Sequence, residues 1–184
     1  MRTFLFAGHM IDAPGRTTPR FPATAVPSAR QAIERILDSL ISTPEDLAIS
    51  SGACGGDLLF AQTVLVRGLR LLLPLPFEER RFLQESVSFA GKEWADAFAA
   101  VRRNARTRVV VLDDPGDTAS TAASSYERLN QWLLNAAFAH EPGKIHLICL
   151  WSGTPGDGPG GTGELVAEVL RRGGRVHWID TREL

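Results

Sequence analysis

The sequence predicts an α/β protein in which a mainly parallel sheet carries helices on both faces, a doubly wound three-layer sandwich. Two observations predict this class. Six short apolar runs lack the polar alternation of strands that face water, and helical patterns separate them. Parallel strands need crossover connections, which such helices supply. The 184 residues, 44% of them hydrophobic, fit a single domain over residues 1–184.

The six predicted strands are rich in Val, Ile, Leu and Phe, the residue types that favour a pleated sheet. They span residues 3–7, 47–51, 70–73, 108–112, 144–150 and 175–179. Because apolar residues occupy consecutive positions in these runs, we expect the strands to be buried on both faces of the sheet.

Five helices are predicted between these strands. Ser28 and Gln31 fit a capping box for the first, which ends before Pro44. The second covers residues 57–67, is apolar nearly all round and is followed by Gly68, so we expect it to be deeply buried. The other three follow apolar stripes over residues 94–101, 129–137 and 165–170.

Charge and cysteine content exclude several classes of function. The 20 basic and 21 acidic side chains nearly balance, so nucleic acid is not an expected partner. Cys54 and Cys149 form neither a disulfide framework nor a Cys/His metal cluster, and no metal site is expected. The N-terminal apolar stretch is too short for a signal peptide and no run approaches 18 apolar residues, which predicts a cytoplasmic protein without membrane contact.

Long loops follow the predicted strands, at the edge where open parallel sheets bind their ligands. They cover residues 8–22, 52–57, 113–120 and 151–163. The second and fourth hold most of the clustered glycine of the chain. We therefore expect a binding site at this edge.

Glycines lie beside two helix starts in these loops. Gly55 and Gly56 precede one helix, and Gly160, Gly161 and Gly163 lie at the start of another. Glycine lets backbone N–H groups approach an anion, and a helix N-terminus adds unpaired donors. A phosphate is expected on the N–H groups of Gly55, Gly56, Gly160, Gly161 and Thr162. Alternatively, the glycines only make tight turns.

Several side chains near these loops are further candidates for ligand binding. Arg20 can bind phosphate and His9 can polarise a substrate. Asp57 is either a helix N-cap or a ligand for a ribose hydroxyl or a metal. Trp151 and Tyr126 either stack on a base or belong to the core. The other candidate ligand-binding residues are Gly8, Gly52 and Gly163.

Two familiar nucleotide motifs are absent. The first strand is followed by residues 8–12, GHMID, without the GxGxxG of nicotinamide dehydrogenases. No GxxxxGK[ST] occurs, which disfavours ATP hydrolysis of the P-loop kind. No cofactor is therefore expected.

Five segments together resemble a known superfamily. They are GH at residue 8, RFP at 20–22, SGACGGDLLFA at 51–61, LPLPF at 73–77 and W-S-G…GPGGTGELV from 151. This pattern, over nearly the whole chain, resembles the Rossmann-like SLOG superfamily, which includes LOG-type phosphoribohydrolases and SMF/DprA proteins, and especially its signalling-associated branch. The resemblance implies a strand order of about 3-2-1-4-5-6, a pocket for a nucleotide or nucleotide-derived small molecule, and a possible homodimer.

The same resemblance argues against catalysis. The LOG enzymes carry P-G-G-x-G-T-x-x-E, whose final glutamate assists cleavage of the N-glycosidic bond. Residues 159–163 match its beginning, but Ala167 stands at the glutamate position and Glu168 is rotated by about 100° from it. Glu164 is the candidate catalytic substitute. We predict a binding or sensing domain, with a phosphoribohydrolase as the alternative.

A cysteine hydrolase is the second alternative. Residues 52–56 fit G-x-C-x-G, the cysteine form of a nucleophile elbow, which would expose Cys54 near a helix N-terminus. No histidine is obviously placed to serve as its base. The competing interpretation is that Cys54 fills a tight turn.

Overall fold

A single parallel sheet organises the chain in the computed structural model, which describes residues 1–112, 122–139, 142–154 and 161–184. Its strands are β1 (Thr3–Gly8), β2 (Leu47–Ile49), β3 (Arg70–Leu75), β4 (Thr107–Val111), β5 (Ile145–Trp151) and β6 (Arg175–Asp180). They lie in the order β4-β3-β2-β1-β5-β6, and all neighbours are parallel. The predicted α/β class, with its Rossmann-like doubly wound sheet, is confirmed.

One strand departs from the order of about 3-2-1-4-5-6. β4 pairs with β3 at the edge of the sheet, and β5 takes the place beside β1, paired from Thr3–Ile145 to Gly8–Leu150. Burial explains the exchange. β5 is buried over six consecutive residues, which suits a central strand, whereas β4 is half-exposed, with Val111 at 40%.

Helices cover both faces of the sheet. They are α1 (Val26–Ser39), α2 (Gly56–Val66), α3 (Glu79–Ser86), α4 (Lys92–Arg103), α5 (Ala122–Ala137) and α6 (Thr162–Arg171). α1, α2 and α4 pack into one apolar core, and α5 and α6 pack into a second core on the opposite face. The loop of residues 113–120 and Gly160 lie outside the described residues.

The structure corrects two details of the helix predictions. α1 begins at Val26, with Pro27 in its first turn, so Ser28 and Gln31 do not mark its start. α3 was missed, because its eight residues are mostly polar and give little apolar pattern. Its start is fixed by Glu78, whose carboxylate accepts the N–H groups of the second and third residues that follow, at 2.8 and 3.1 Å.

A histidine pair connects β5 and β6 near the amino ends of these strands. His146 Nδ1 and His177 Nε2 are 2.9 Å apart, and the two rings stack at a centroid distance of 5.2 Å. His146 is 3% exposed and also packs on the ring of Phe4. Burial, then the charges of His177, Arg175 and Arg2, lower the pKa of His146 to about 4. Burial and Arg175 lower the pKa of His177 as well.

In the described part of the chain, every helix is too short or too polar to cross a lipid bilayer.

Candidate functional site

A cleft lies where the strand order reverses. β1 has β2 on one side and β5 on the other, and a cleft of about 330 Å³ opens beyond the carboxyl ends of these strands. Ligands of open α/β sheets bind at such a reversal. The described residues that line it are Phe6, Ala7, Gly8, His9, Met10, Arg20, Ser51, Ala53, Asp57, Glu85, Ser86, Tyr126, Leu129, Asn130, Leu133, Trp151, Gly161, Thr162 and Leu165. Three of the four predicted loops therefore meet here.

His9 connects the loop after β1 to the loop after β5. Its Nε2 accepts the backbone N–H of Ser152 at 3.1 Å, and Ser152 Oγ lies 3.0 Å from the same nitrogen. Because Nε2 accepts, the ring proton resides on Nδ1. Ser152 is 5% exposed and is not among the described residues that line the cleft. The pair thus orients the imidazole and does not form an exposed nucleophile with its base.

Backbone contacts tie the first two loops together. Met10 and Gly55 form an antiparallel bridge, and the Gly56 N–H donates to the His9 carbonyl at 3.1 Å. Gly55 has φ +101°, and an added Cβ would lie 2.7 Å from the Ile11 nitrogen. Only glycine fits this close approach. The phosphate role predicted for the Gly56 amide is therefore wrong, because the protein already uses that donor.

Other predicted glycines serve packing. An added Cβ would lie 2.9 Å from Leu150 Cβ at Gly8 and 2.8 Å from Leu73 Cδ1 at Gly52. Gly8 lines the cleft. Gly52, Gly55, Gly56 and Gly163 are not among its described lining residues. The tight-turn interpretation accordingly describes the first three positions better than the ligand-contact interpretation does, and Gly163 lies within the first turn of α6.

Asp57 is a buried carboxylate on the wall of the cleft. It is 6% exposed, and its Oδ1 accepts from Ser50 Oγ at 2.8 Å, Ser51 Oγ at 3.0 Å and Ser51 N–H at 3.2 Å. Burial raises the pKa of Asp57 to about 6, against the lowering effect of Ser50, Ser51 and the Gly52 N–H. The N-cap interpretation is wrong in detail, because the N-cap of α2 is Gly55 and Asp57 binds the loop that precedes it.

The missed helix α3 supplies part of the same wall. Ser86 accepts the Cys54 N–H through its carbonyl at 2.8 Å, and its hydroxyl forms a hydrogen bond with the hydroxyl of Tyr126. Burial raises the pKa of Tyr126, and the carboxylates of Glu85 and Asp57 raise it further. Tyr126 thus contributes to the cleft. Ser86 and Glu85 could not be found from sequence, since α3 itself was not recognised.

A folded-back loop brings Arg20 to the cleft. The Asp12 carboxylate accepts the N–H groups of Arg20 and Phe21, each at 3.0 Å, and Phe21 is fully buried. Arg16 pairs with the same carboxylate at 3.5 Å but is not among the described lining residues. The structure therefore brings Arg20, and not Arg16, to the described wall of the cleft.

The start of α6 and Trp151 form the opposite wall. Gly161 is the N-cap of α6 and makes no side-chain cap, and Thr162 begins the helix. Within the described residues, no acceptor binds the Thr162 N–H, which leaves it able to bind a ligand. The Trp151 ring lies over Gly163, where an added Cβ would be 3.1 Å from Cζ2. Gly163 therefore lets the helix start approach the indole.

The carboxylates of α6 lie elsewhere. Glu164 is exposed and faces the groove between α5 and α6, so the catalytic role predicted for it in the cleft is wrong. Leu165 lines the cleft, whereas Ala167 is exposed and is not among the described lining residues. Glu168 points away from the cleft, as expected, and pairs with Arg171, whose hydrogen bonds help lower the pKa of Glu168 to about 2.

Cys54 is buried, which contradicts the nucleophile prediction. Its side chain is inaccessible, and burial, with the nearby Asp57 charge, raises the pKa of its thiol to about 12. A nucleophilic cysteine needs an accessible thiolate, so the cysteine-hydrolase alternative is wrong. Cys54 fills the turn, as the competing interpretation held.

We expect native Cys54 to react with iodoacetamide at pH 8 at least about 100-fold more slowly than in urea, because the fold hides the thiol and disfavours the thiolate. Both cysteines are free and buried, so the Cys149→Ser variant isolates Cys54. Mass spectrometry of timed samples gives the rates. Equal rates of Cys54 alkylation in buffer and in urea would restore the cysteine-hydrolase hypothesis.

Solved structures with a similar course of the chain were found at low identity. One is a native mycobacterial quinone oxidoreductase, 17% identical, with a TM-score of 0.34 over 94% of this chain and 51% of that chain. Another is a mycobacterial protein complexed with NADPH, 18% identical, with a TM-score of 0.36 over 93% of this chain and 51% of that chain. The chain spans about half the length of either protein, and the likeness concerns the fold alone. No protein-family model and no curated protein matches.

Proposed function

We propose that the chain binds a nucleoside monophosphate, or a nucleotide-derived ligand of similar size, in the cleft beside β1. The observation that carries this proposal is the composition of one cleft at the strand-order reversal, where a helix start, an arginine and two aromatic side chains face the same volume. The helix start can bind a phosphate, the arginine can pair with the negative charge of that phosphate, and the aromatic rings can stack on a base.

The volume supports a single nucleotide. Ligand clefts commonly measure about 300–1,000 Å³, and this cleft of about 330 Å³ lies at the lower end. A dinucleotide needs roughly twice the room of a mononucleotide. Nucleoside monophosphates therefore fit this volume better than larger ligands such as cyclic dinucleotides or ADP-ribose.

The charged groups support an anionic end on the ligand. The Thr162 N–H and the positive end of the α6 dipole lie beside Gly161, and Arg20 lines the same cleft. Trp151 and Tyr126 offer ring faces for a base, and Leu129 and Leu133 line the cleft between polar groups. This combination suits a phosphorylated aromatic ligand better than a peptide or a sugar.

The two groups predicted to carry catalysis lie away from the cleft, which supports binding without turnover. Glu164, the residue proposed to replace the LOG-type glutamate, faces a different groove. Cys54 is buried. A ligand-sensing domain related to the SLOG superfamily is thus our proposal, and the possible homodimer stays a prediction that light scattering can test.

Calorimetric titration with AMP, GMP, CMP and UMP tests the proposal. We expect at least one to bind, and we expect Arg20→Gln to weaken it at least about tenfold, because a charge-assisted hydrogen bond is worth about 1.5–3 kcal/mol. Arg16→Gln is the matched control, since it removes an arginine of the same loop that does not line the cleft. Its affinity should stay within about threefold of the wild type.

Two outcomes decide against the proposal. Absence of binding by all four nucleotides would remove it. Release of free base, seen by chromatography of the incubated mixtures, would replace a sensor with the phosphoribohydrolase alternative.

A further inference from the structure

The two sides of the cleft differ in charge. Asp57, which follows β2, and Glu85 lie on one side, and the start of α6, which follows β5, lies on the other. β1 runs between β2 and β5, and neighbouring strands are about 4.8 Å apart. The acidic side and the donor side of the cleft are therefore separated by roughly 10 Å.

The acidic side keeps hydrogen-bonding capacity on one carboxylate. The three hydrogen bonds from Ser50 and Ser51 all end on Asp57 Oδ1, and the Gly52 N–H also acts on this carboxylate. Because each carboxylate oxygen has two lone pairs, Oδ2 retains the capacity to accept from a ligand in the cleft. Glu85 differs in the charge of its partner, because its Oε1 pairs with the Arg81 guanidinium, Nε at 2.7 Å, whereas Ser50 and Ser51 are neutral partners of Asp57. Asp57 is thus the better acceptor for a ligand hydroxyl.

We infer, building on the proposed function, that the ligand is a nucleoside 5′-monophosphate whose free ribose hydroxyls donate to Asp57, and that the cleft excludes a 3′-phosphate. The 5′-phosphate lies at the start of α6, and the ribose reaches across β1 toward Oδ2. An ionised carboxylate only accepts hydrogen bonds, so hydroxyl donors satisfy it. A second phosphate there would bring like charges together without an intervening donor.

The first test compares three ligands on the wild-type protein at pH 7.5 by calorimetry. They are the tightest binder among AMP, GMP, CMP and UMP, the 3′,5′-bisphosphate of the same nucleoside, and its 2′,3′-dideoxy 5′-monophosphate. We expect the bisphosphate to bind at least about 100-fold more weakly, because like charges meet at Asp57. The dideoxy analogue should bind about tenfold more weakly, since it leaves Oδ2 without a donor.

The second test assigns the discrimination to one residue. Asp57→Asn keeps the size of the side chain and the oxygen that Ser50 and Ser51 bind, and removes the charge. We expect it to reduce the discrimination against the bisphosphate to within about tenfold. Glu85→Gln is the matched control and should preserve the wild-type ratio. Circular dichroism confirms that each variant is folded.

The outcomes separate this inference from the proposed function. If the bisphosphate binds as tightly as the monophosphate, the inference is wrong and the proposed function stands. If Glu85→Gln and not Asp57→Asn removes the discrimination, the recognition is assigned to the wrong carboxylate. If no 5′-monophosphate binds, both are wrong. The comparison of ligands on the wild type decides the matter even if Asp57→Asn does not fold.

Discussion

Replacing Gly55 by alanine is expected to lower the free energy of unfolding by at least about 3 kcal/mol. Two costs combine at this position. The backbone of Gly55 has φ +101°, a conformation that residues with a side chain rarely adopt. The new Cβ would also lie 2.7 Å from the Ile11 nitrogen and 2.9 Å from the His9 carbonyl oxygen. Both neighbours are backbone atoms, so neither can move without breaking the bridge between the two loops.

Gly15→Ala provides the matched control. Gly15 also has a positive φ, +80°, but an added Cβ would meet nothing within 4 Å. Its replacement should therefore cost only the backbone strain, about 1 kcal/mol. Urea denaturation followed by circular dichroism measures both variants, with the slope m unchanged. Equal losses for Gly55→Ala and Gly15→Ala would show that the close approach of the two loops contributes nothing.

Acid is expected to weaken the fold through His146. The pKa of His146 is about 4 in the folded protein and 6.5 in its ordinary state. Between pH 4 and pH 6.5, His146 is therefore protonated in the unfolded chain and neutral in the folded chain. The contribution of His146 to the free energy of unfolding is fully present above about pH 6.5 and is lost as the pH falls toward 4. The loss reaches about 2 kcal/mol at pH 5 and about 3 kcal/mol at lower pH.

The comparison of wild type with His146→Gln measures this loss. The stability advantage of the wild type over the variant should shrink by about 2 kcal/mol between pH 7 and pH 5. The charged groups that act on His146 are His177, Arg175, Arg2 and Asp46, and only Asp46 favours its protonation. A pH-independent difference between the two proteins would mean that His146 titrates normally in the fold.

Asp57 acts in the opposite direction and serves as the sign control. Its pKa is raised from 3.8 to about 6, so the folded state gains protons before the unfolded state does as the pH falls. The free energy of unfolding should therefore rise by about 1 kcal/mol from this residue between pH 7 and pH 5. The difference in free energy of unfolding between the wild type and Asp57→Asn should change by that amount between pH 7 and pH 5. The change should have the opposite sign to the one expected for His146→Gln.

The sequence predicted the edge of the sheet where the cleft lies but not the hydrogen bonds of its lining residues. Apolar runs and glycine-rich loops predicted the sheet and the edge where Gly8, Trp151 and Thr162 meet. The pattern could not show that the Gly56 N–H is taken by the His9 carbonyl, because that bond joins loops that pair only after folding. Sequence spacing likewise could not predict that Cys54 is turned into the core.

Two further differences between prediction and structure involve contacts between elements that are distant in the chain. The sequence did not distinguish β4 from β5 as neighbours of β1, since both are short apolar runs and only the tertiary structure decides which is fully covered. The mostly polar α3 gave no apolar stripe in the sequence, so Ser86 was missed although it contacts Tyr126. Such positions depend on partners distant in the chain, which local pattern does not encode.

The environment of Asp57 sets the recognition that we infer for it against the stability of the fold. A carboxylate kept out of water at neutral pH weakens the fold, and a neutral residue of the same shape would relieve that burden. Selection for heat resistance alone would therefore drive this position away from aspartate, and the discrimination that we infer for Asp57 would be lost with it.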